Sequence, residues 1–350
     1  MTHEFKNIVD AYQKAKGQGL KTVLATVVDL DGSSYRKPGV RMLILENGSM
    51  IGAVSGGCVE KDILKQSEAV FVSGQSKMMT YDGRFRLGCE GILYILLEVF
   101  QPNNSFMEAF AICLKQRAHF TMNSYFLKTE GVHSGIGTHA VFNNDKHRLS
   151  GQINGFTKKT ETQSLFSEDM PPCFKLMIFG AEHDAVQLCQ FAALSGWEVS
   201  VYAGPMESKT SDNFIGANDF HSMSPEAVDL RGVDDQTAIM IMTHSFAKDL
   251  KYLMCIKDTD PVYIGLLGPT HKRENLLTHL LEYHPEIEDD FIDKIHGPAG
   301  LNIGAETPQE IAVSIISEIL ALIRFQEPMH LNKKLGGIHD LINNKAPLVK

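Results

Sequence analysis

The pattern of apolar and polar positions in the first half of the chain predicts a mixture of helices and strands. Phe5, Ile8, Val9 and Tyr12 recur at helical spacing, so the chain begins with an amphipathic helix. Further helices and strands are predicted at Thr22–Asp29, Arg41–Leu45, Ser49–Ala53, Glu60–Val72, Gly91–Val99, Ser105–Ala118 and His119–Leu127. These elements do not alternate regularly, which indicates a mixed α+β N-terminal domain.

The second half has a different pattern, in which strands and helices alternate. The apolar run Lys175–Phe179 stops at Gly180, a helical pattern follows through Ala193, and the strand Glu198–Tyr202 comes next. Further elements are predicted at Ala238–Thr243, Ala247–Cys255, Val262–Leu267, Thr270–His284 and Thr307–Ile323. Strand, glycine turn, helix and strand form the opening unit of a nucleotide-binding sheet, so we expect a Rossmann-like, doubly wound α/β domain.

A polar stretch separates the two patterns and suggests the domain boundaries. The sequence turns polar between Phe142 and Pro172, and no period is evident in Thr157–Asp169. We therefore expect an N-terminal domain over 1–156, a linker over 157–173, a Rossmann-like domain over 174–325 and a tail over 326–350.

Composition and charge narrow the function classes. The net charge of -9 leaves no basic stripe for a nucleic-acid partner, and apolar runs such as Gly91–Val99 are too short for membrane insertion. The six cysteines show neither paired zinc spacing nor a CxxC motif, which favours a reducing, cytoplasmic location. Two of them, Cys113 and Cys189, lie in helical apolar patterns and are expected to be core thiols.

Two cysteines that follow glycines are the first candidates for chemistry. The segment Val54–Glu60 places Gly56 and Gly57 before Cys58, at what reads as a helix start, and Cys89 follows Gly88. Free amides at a helix start favour anions and stabilise thiolates. The two thiols together suggest a site for an anionic or soft ligand.

Polar residues near these cysteines extend the candidate site. Hydroxyl and cationic groups cluster at Ser33, Ser34, Arg36, Lys37 and Arg41, a set that suits a phosphate or oxyanion ligand, although such a loop can also be simply exposed. Glu60 could shuttle a proton or complement the helix start.

The glycine turn of the second half lacks two features of dinucleotide binding. Gly180 fills the first position of G-x-G-x-x-G and Ala185 the third, but Glu182 fills the second, where its charge opposes a pyrophosphate. The acidic residue expected after the next strand is replaced by Ala203. The fold prediction stands, whereas NAD(P) binding is disfavoured.

Other residues of this half lie where strands are expected to end. His183, His244, Lys272 and Arg273 fall in loops at the expected carboxyl edge of the sheet, where ligands bind to open α/β sheets. Together with Gly180 and Glu182 they form a second candidate ligand site, and solvated surface loops are the alternative.

Several long motifs resemble one known family. Ala25–Met42, Gly52–Glu60 and Leu87–Gly91 resemble the N-terminal domain of the XdhC/CoxI family. Its Rossmann-like domain is resembled by Met242–Leu250, Tyr263–Leu277 and Gly297–Ile311. The chain departs from the family pattern at Glu90, Glu182 and Ala203.

This resemblance implies an accessory factor for molybdenum hydroxylases such as xanthine dehydrogenase. Such a factor binds the molybdenum cofactor, supports installation of its sulfido ligand and inserts it into the apoenzyme. The implied partners are a xanthine dehydrogenase-type molybdoenzyme and a cysteine desulfurase. The implied cofactor site comprises Ser33, Ser34, Arg41, Gly56, Gly57, Cys58, Glu60 and Cys89, with Cys58 and Cys89 as transient molybdenum ligands.

Two function classes follow from these observations. A cofactor chaperone without turnover of its own is the leading hypothesis, and a nucleotide-dependent oxidoreductase is the alternative. The absence of an iron–sulfur cysteine run and of a flavin fingerprint argues against the chain being xanthine dehydrogenase itself. We also expect a homodimer, whose two halves would frame a cleft.

Overall fold

The computed structural model describes residues 2–32, 37–55, 57–83, 91–150 and 163–336, except for the side chain of Cys58. The chain forms two compact units, Met1–Pro172 and Cys173–Lys350. Each unit has hydrophobic core clusters of its own.

The first unit combines two antiparallel sheets with three helices among its described residues. The helices are α1 (Thr2–Gly17), α2 (Cys58–Ser73) and α3 (Asn104–Lys115). The strands are β1 (Thr22–Asp31), β2 (Arg41–Leu45), β3 (Met50–Gly52), β4 (Lys77–Asp82), β5 (Ile92–Val99), β6 (Phe120–Phe126), β7 (Gly131–Val132), β8 (Gly137–Phe142), β9 (Asp145–Arg148) and β10 (Ser164–Met170). A six-stranded sheet has the order β3-β2-β1-β5-β4-β7, and a four-stranded sheet has the order β10-β6-β8-β9.

Alternation along β1 explains how the six-stranded sheet is covered on both faces. Val23 and Ala25 join a core cluster with Ile63 of α2. Leu24 points to the opposite face, because successive side chains of a strand alternate, and it packs in a cluster with Phe5 of α1. That second cluster also contains residues of α3 and of the four-stranded sheet.

The second unit is a parallel α/β sheet with helices on both faces. Its strands are β11 (Lys175–Phe179), β12 (Glu198–Ala203), β13 (Asp219–Ser222), β14 (Thr237–Ile241), β15 (Tyr263–Leu266) and β16 (Ile295–His296). Its helices are α4 (His183–Leu194), α5 (Phe246–Ile256), α6 (Thr270–Tyr283), α7 (Asp289–Asp293) and α8 (Pro308–Ile323).

The strand order β13-β12-β11-β14-β15-β16 confirms the predicted Rossmann-like, doubly wound architecture. The order reverses between β11 and β14, where such folds bind their ligands outside the carboxyl ends of the strands. Residues of α4 and α8 cover one face of the sheet, and residues of α5 and α6 cover the other. Thr307 caps α8 and Pro308 begins it, as the sequence predicts.

Part of the predicted linker over 157–173 is a strand, so the linker prediction was wrong for Ser164–Met170. This segment is β10, an edge strand that pairs antiparallel with β6 from Ser164↔Phe126 to Met170↔Phe120. Its inward-facing residues include Glu168, a charged residue, which breaks the apolar alternation that identifies a strand.

Candidate functional site

Strand register brings the three predicted cofactor-site segments to one edge of the six-stranded sheet. The pairs Thr26↔Arg41 and Met42↔Gly52 place the end of β1, the start of β2 and the end of β3 at the same edge. Ile92 pairs with both Asp31 and Asp82, so the end of β4 and the start of β5 lie there too. The loops over 32–40, 53–57 and 83–91 therefore leave the sheet side by side.

The span of this edge is compatible with one shared site. The end of β3 and the start of β5 are separated by three inter-strand spacings, or about 14 Å at about 4.8 Å each. Ser33, Ser34, Gly56 and Cys89 lie outside the described residues, as does the side chain of Cys58. The position of Cys58 as the first residue of α2 is described and agrees with the predicted helix start.

Glu60 is the structural centre of the Val54–Gly57 turn. Its Oε1 accepts hydrogen bonds from the amides of Val54 (3.1 Å) and Ser55 (2.5 Å). Its Oε2 accepts from the Ser55 hydroxyl (2.9 Å) and from the Gly57 amide (2.8 Å). The side chain is buried, and although burial alone raises the pKa of this carboxyl, the hydrogen bonds from Ser55 and Gly57 lower it overall.

These four bonds change the interpretation of the turn. The amides of Val54, Ser55 and Gly57, which the sequence offered to an anionic ligand, are satisfied from within by Glu60. Gly57 has φ of 119°, a left-handed conformation that favours glycine. The Glu60 carboxylate therefore shapes the turn that leads to Cys58.

The structure places Arg41 inside the unit, between the two sheets. Its Nη1 lies 2.8 Å from Oε2 of Glu168 and donates to the carbonyl of Gly39 at 3.0 Å. Only 4% of the Arg41 side chain and 9% of the Glu168 side chain are exposed. The guanidinium group is thus engaged beneath the 32–40 loop, and direct ligand contact from the surface does not fit this placement.

In the second unit, the structure brings most of the predicted residues to the carboxyl edge of the sheet. Gly180 follows β11 with φ of 137°, and a Cβ there would lie 2.5 Å from the Met242 carbonyl oxygen. Glu182 caps α4 with φ of -70°, which any residue adopts, so glycine is not required at this position. His183 is the first residue of α4.

The start of α4 carries acidic groups where a pyrophosphate would bind. Asp184 lies in its first turn, and its Oδ2 is 3.6 Å from Nε2 of His244, which has φ of 55°. Carboxylates at a helix start complement its partial positive charge. Together with Glu182 they oppose an anionic ligand there.

The two predicted cations of α6 have protein partners. Nζ of Lys272 is 2.5 Å from Oδ2 of the buried Asp249, which also accepts from the Thr243 hydroxyl at 2.5 Å. Nε of Arg273 donates to the carbonyl of Ile295 at 3.1 Å, which directs this side chain towards β16. Asp249 was not identified from the sequence, since a single acidic residue within an apolar helix pattern gives no sign of its partner.

Among the residues that the structure describes, no three His, Cys, Asp or Glu side chains are grouped as metal ligands would be. Within the same residues, no helix combines the length and the apolar character needed to cross a bilayer.

Comparison with known proteins identifies the family. A model of the XdhC and CoxI family matches residues 15–82, and a model of the XdhC Rossmann domain matches residues 176–319. A protein of Bacillus subtilis (strain 168) described as a probable xanthine dehydrogenase component is 30% identical over 318 residues, covering 86% of this chain and 92% of that protein. The chain belongs to the XdhC/CoxI family.

Two further XdhC/CoxI-like matches extend over most of the chain. The molybdenum cofactor insertion chaperone PaoD of Escherichia coli (strain K12) is 23% identical over 332 residues, covering 93% of this chain and 91% of that protein. A crystal structure described as a xanthine dehydrogenase from Bacillus halodurans matches with a TM-score of 0.75 and 24% identity, covering 91% of this chain and 96% of that one. The structural match establishes a shared fold.

Proposed function

We propose that this XdhC/CoxI protein is a maturation factor that binds the molybdenum cofactor and inserts it into a xanthine dehydrogenase-type molybdenum hydroxylase. Family membership and the similarity to a molybdenum cofactor insertion chaperone support this role. The observation that carries the proposal is the strand register, which brings the 32–40, 53–57 and 83–91 loops to one edge of the six-stranded sheet.

The donor set of these loops fits an anionic cofactor with a thiophilic metal. Bound molybdenum cofactor supplies a phosphate-bearing pterin and a molybdenum centre. We assign the thiols of Cys58 and Cys89 to that centre, because soft thiolates suit it. Since Glu60 already occupies the amides of the Val54–Gly57 turn, we assign the phosphate to Ser33 and Ser34.

Sulfuration extends the same proposal to a second partner. A thiolate beside the molybdenum centre could guard the cofactor while a cysteine desulfurase supplies sulfur for the terminal ligand. The proposed site is the cysteine-bearing edge, and the proposed compartment is the cytoplasm. Cys113 and Cys189 agree with a reducing compartment, because both are buried thiols without a disulfide.

The decisive experiment measures cofactor retention. Wild-type protein, Cys58→Ala and Cys89→Ala are purified from a molybdenum-replete host, and molybdenum and pterin are quantified per chain. We expect wild-type protein to carry cofactor and each variant to lose at least nine-tenths of it. Cys255→Ala is the matched control, because this half-buried thiol lies on α5 of the second unit.

Two results would contradict the proposal. Wild-type protein that carries no molybdenum or pterin, and that fails to activate a cofactor-free molybdenum hydroxylase on mixing, contradicts cofactor handling. Equal retention by wild-type, Cys58→Ala and Cys89→Ala protein contradicts the assigned site. Light scattering on the loaded protein tests the predicted homodimer.

The alternative, an NAD(P)-dependent oxidoreductase, is disfavoured by the start of α4. Glu182 and Asp184 place two carboxyl groups where the fold would bind a pyrophosphate. Calorimetric titration with NAD⁺, NADH, NADP⁺ and NADPH is expected to give no saturable heat. Saturable binding abolished by Gly180→Val would restore this alternative.

A further inference from the structure

Arg41 links two parts of the first unit that are distant in sequence. One nitrogen, Nη1, contacts both Glu168 on β10 and the carbonyl of Gly39, at 2.8 and 3.0 Å. Glu168 is 127 residues from Arg41 and belongs to the other sheet. The pair therefore joins the base of the 32–40 loop to the four-stranded sheet.

Gly39 closes the base of that loop. Its amide donates to the carbonyl of Val27 (2.8 Å), and the Val27 amide donates to the carbonyl of Val40 (3.0 Å). Gly39 has φ of 100°, and the pairing of β1 shifts register beside it, between Val27 and Asp29. The third acceptor at this point, the Gly39 carbonyl, is held by the Arg41 side chain.

The main chain of Arg41 also contacts the start of the second loop. Gly52, the last residue of β3, has φ of 85°, and a Cβ there would lie 2.7 Å from the Arg41 carbonyl oxygen. The 53–57 loop, which leads to Cys58, begins directly after this close contact. One residue thus touches the bases of two of the three loops at the edge.

Stability alone does not explain a buried ion pair here. Desolvation of two charges offsets much of their attraction, and well-packed apolar residues are often as stable or more stable. Nε and Nη2 of Arg41 have no hydrogen-bond partner within the described part of the chain, so the guanidinium group is held through Nη1 alone. Its other neighbours are the Phe5 ring, 5.9 Å away, and the charges of Glu98 and Arg148 nearby. A geometric role accounts for the retention of the pair.

We propose that Arg41 and Glu168 are positioning residues, which hold the bases of the 32–40 and 53–57 loops so that their cofactor-binding groups are correctly placed. This inference rests on the proposed function. It replaces the direct ligand role that the sequence suggested for Arg41 with an action through the loops.

The test replaces the whole pair, so that no buried charge is left alone. The double variant Arg41→Met/Glu168→Met keeps apolar stems of similar length and is expected to melt within a few degrees of wild-type protein. Hydrogen–deuterium exchange of peptides covering 24–41 is expected to accelerate at least tenfold, whereas peptides of α3 are unchanged. Dissociation of bound molybdenum cofactor, followed by pterin release, is expected to accelerate at least fivefold.

Ser124→Ala is the matched control. Ser124 is another buried polar residue between the sheets, bonded to the Thr138 hydroxyl at 2.9 Å, and it does not contact either loop. We expect wild-type exchange over 24–41 and wild-type cofactor release from this variant. Glu168→Gln, whose amide oxygen can still accept from Nη1, is expected to give intermediate values and serves as the test if the double variant does not fold.

The outcomes separate the two proposals. Wild-type exchange and wild-type cofactor release in both the double variant and Glu168→Gln would overturn the positioning role. If wild-type protein binds no molybdenum cofactor, the proposed function fails, while the exchange measurement still decides whether the pair holds the loop. Accelerated exchange with unchanged cofactor release would also refute the role, because loop placement would then not matter for binding.

Discussion

Replacing Glu60 by glutamine tests how the turn before Cys58 is held. The wild-type carboxylate accepts four hydrogen bonds, two on each oxygen. Glutamine keeps one acceptor oxygen and puts an NH₂ group in place of the other. If the oxygen stays with the amides of Val54 and Ser55, the NH₂ group meets the Gly57 amide, and two donors then face each other.

The expected loss follows from these contacts. An unsatisfied buried donor at Gly57 costs about 1–3 kcal/mol, and each remaining bond loses about 1 kcal/mol when the acceptor becomes neutral. Partial relaxation of the turn reduces the sum, so we expect the free energy of unfolding of the first unit to fall by about 2–4 kcal/mol. Glu68→Gln, an exposed change on the same helix, is expected to stay within about 0.5 kcal/mol.

The pH dependence has a defined sign. Hydrogen bonding lowers the pKa of Glu60 in the folded protein below its ordinary value of 4.5. Its stabilising contribution is therefore complete above pH 4.5 and is lost as the pH falls through the folded pKa. The stability difference between wild-type and Glu60→Gln protein should shrink below pH 4.5.

The assay must distinguish the two units. Native-state hydrogen exchange of α2 amides reports on the first unit. The single tryptophan, Trp197, lies in the second unit, so its fluorescence in a urea titration is an internal control that should not change. A loss below about 0.5 kcal/mol at pH 7, or a loss that grows on acidification, would refute the reasoning.

Two further predictions concern the second unit and use Trp197 fluorescence in urea. Gly180→Ala is expected to cost more than about 2 kcal/mol, because the new Cβ would meet a carbonyl oxygen beside β14 at 2.5 Å with φ of 137°; Gly232→Ala, in open space, should be near neutral, and equal effects would contradict the argument. Lys272→Met is expected to cost about 3 kcal/mol at pH 7, because it leaves the buried Asp249 carboxylate unpaired, and adding Asp249→Asn should recover part of the loss. A double variant no more stable than Lys272→Met would argue against the unpaired charge as the cause.

The corrections at Arg41 and in the linker share one cause. In the sequence, Arg41 stands among hydroxyl and basic residues and looks like part of a ligand-binding loop. Glu168 lies in a stretch without period, and nothing in either neighbourhood reveals the other residue. Only the packing of β2 against β10 brings the two together, and it turns a predicted ligand into an internal ion pair and part of a predicted linker into a strand.

The sequence by itself determined the elements and the family. Hydrophobic periodicity located α1, the hairpin of β2 and β3, and the alternating strands and helices of the second unit, because burial of one face imposes a local period on the chain. Long motifs in the correct order gave the family, and Glu182 gave the warning against a pyrophosphate.

Only the tertiary structure decided which distant residues meet. The pairing of β1 with β2 and β5 brings loops that are tens of residues apart to one sheet edge, and the burial of Glu60 and Arg41 gives these residues internal partners. Such contacts depend on strand order and register, which non-local pairing fixes and which leave no periodic mark in the sequence.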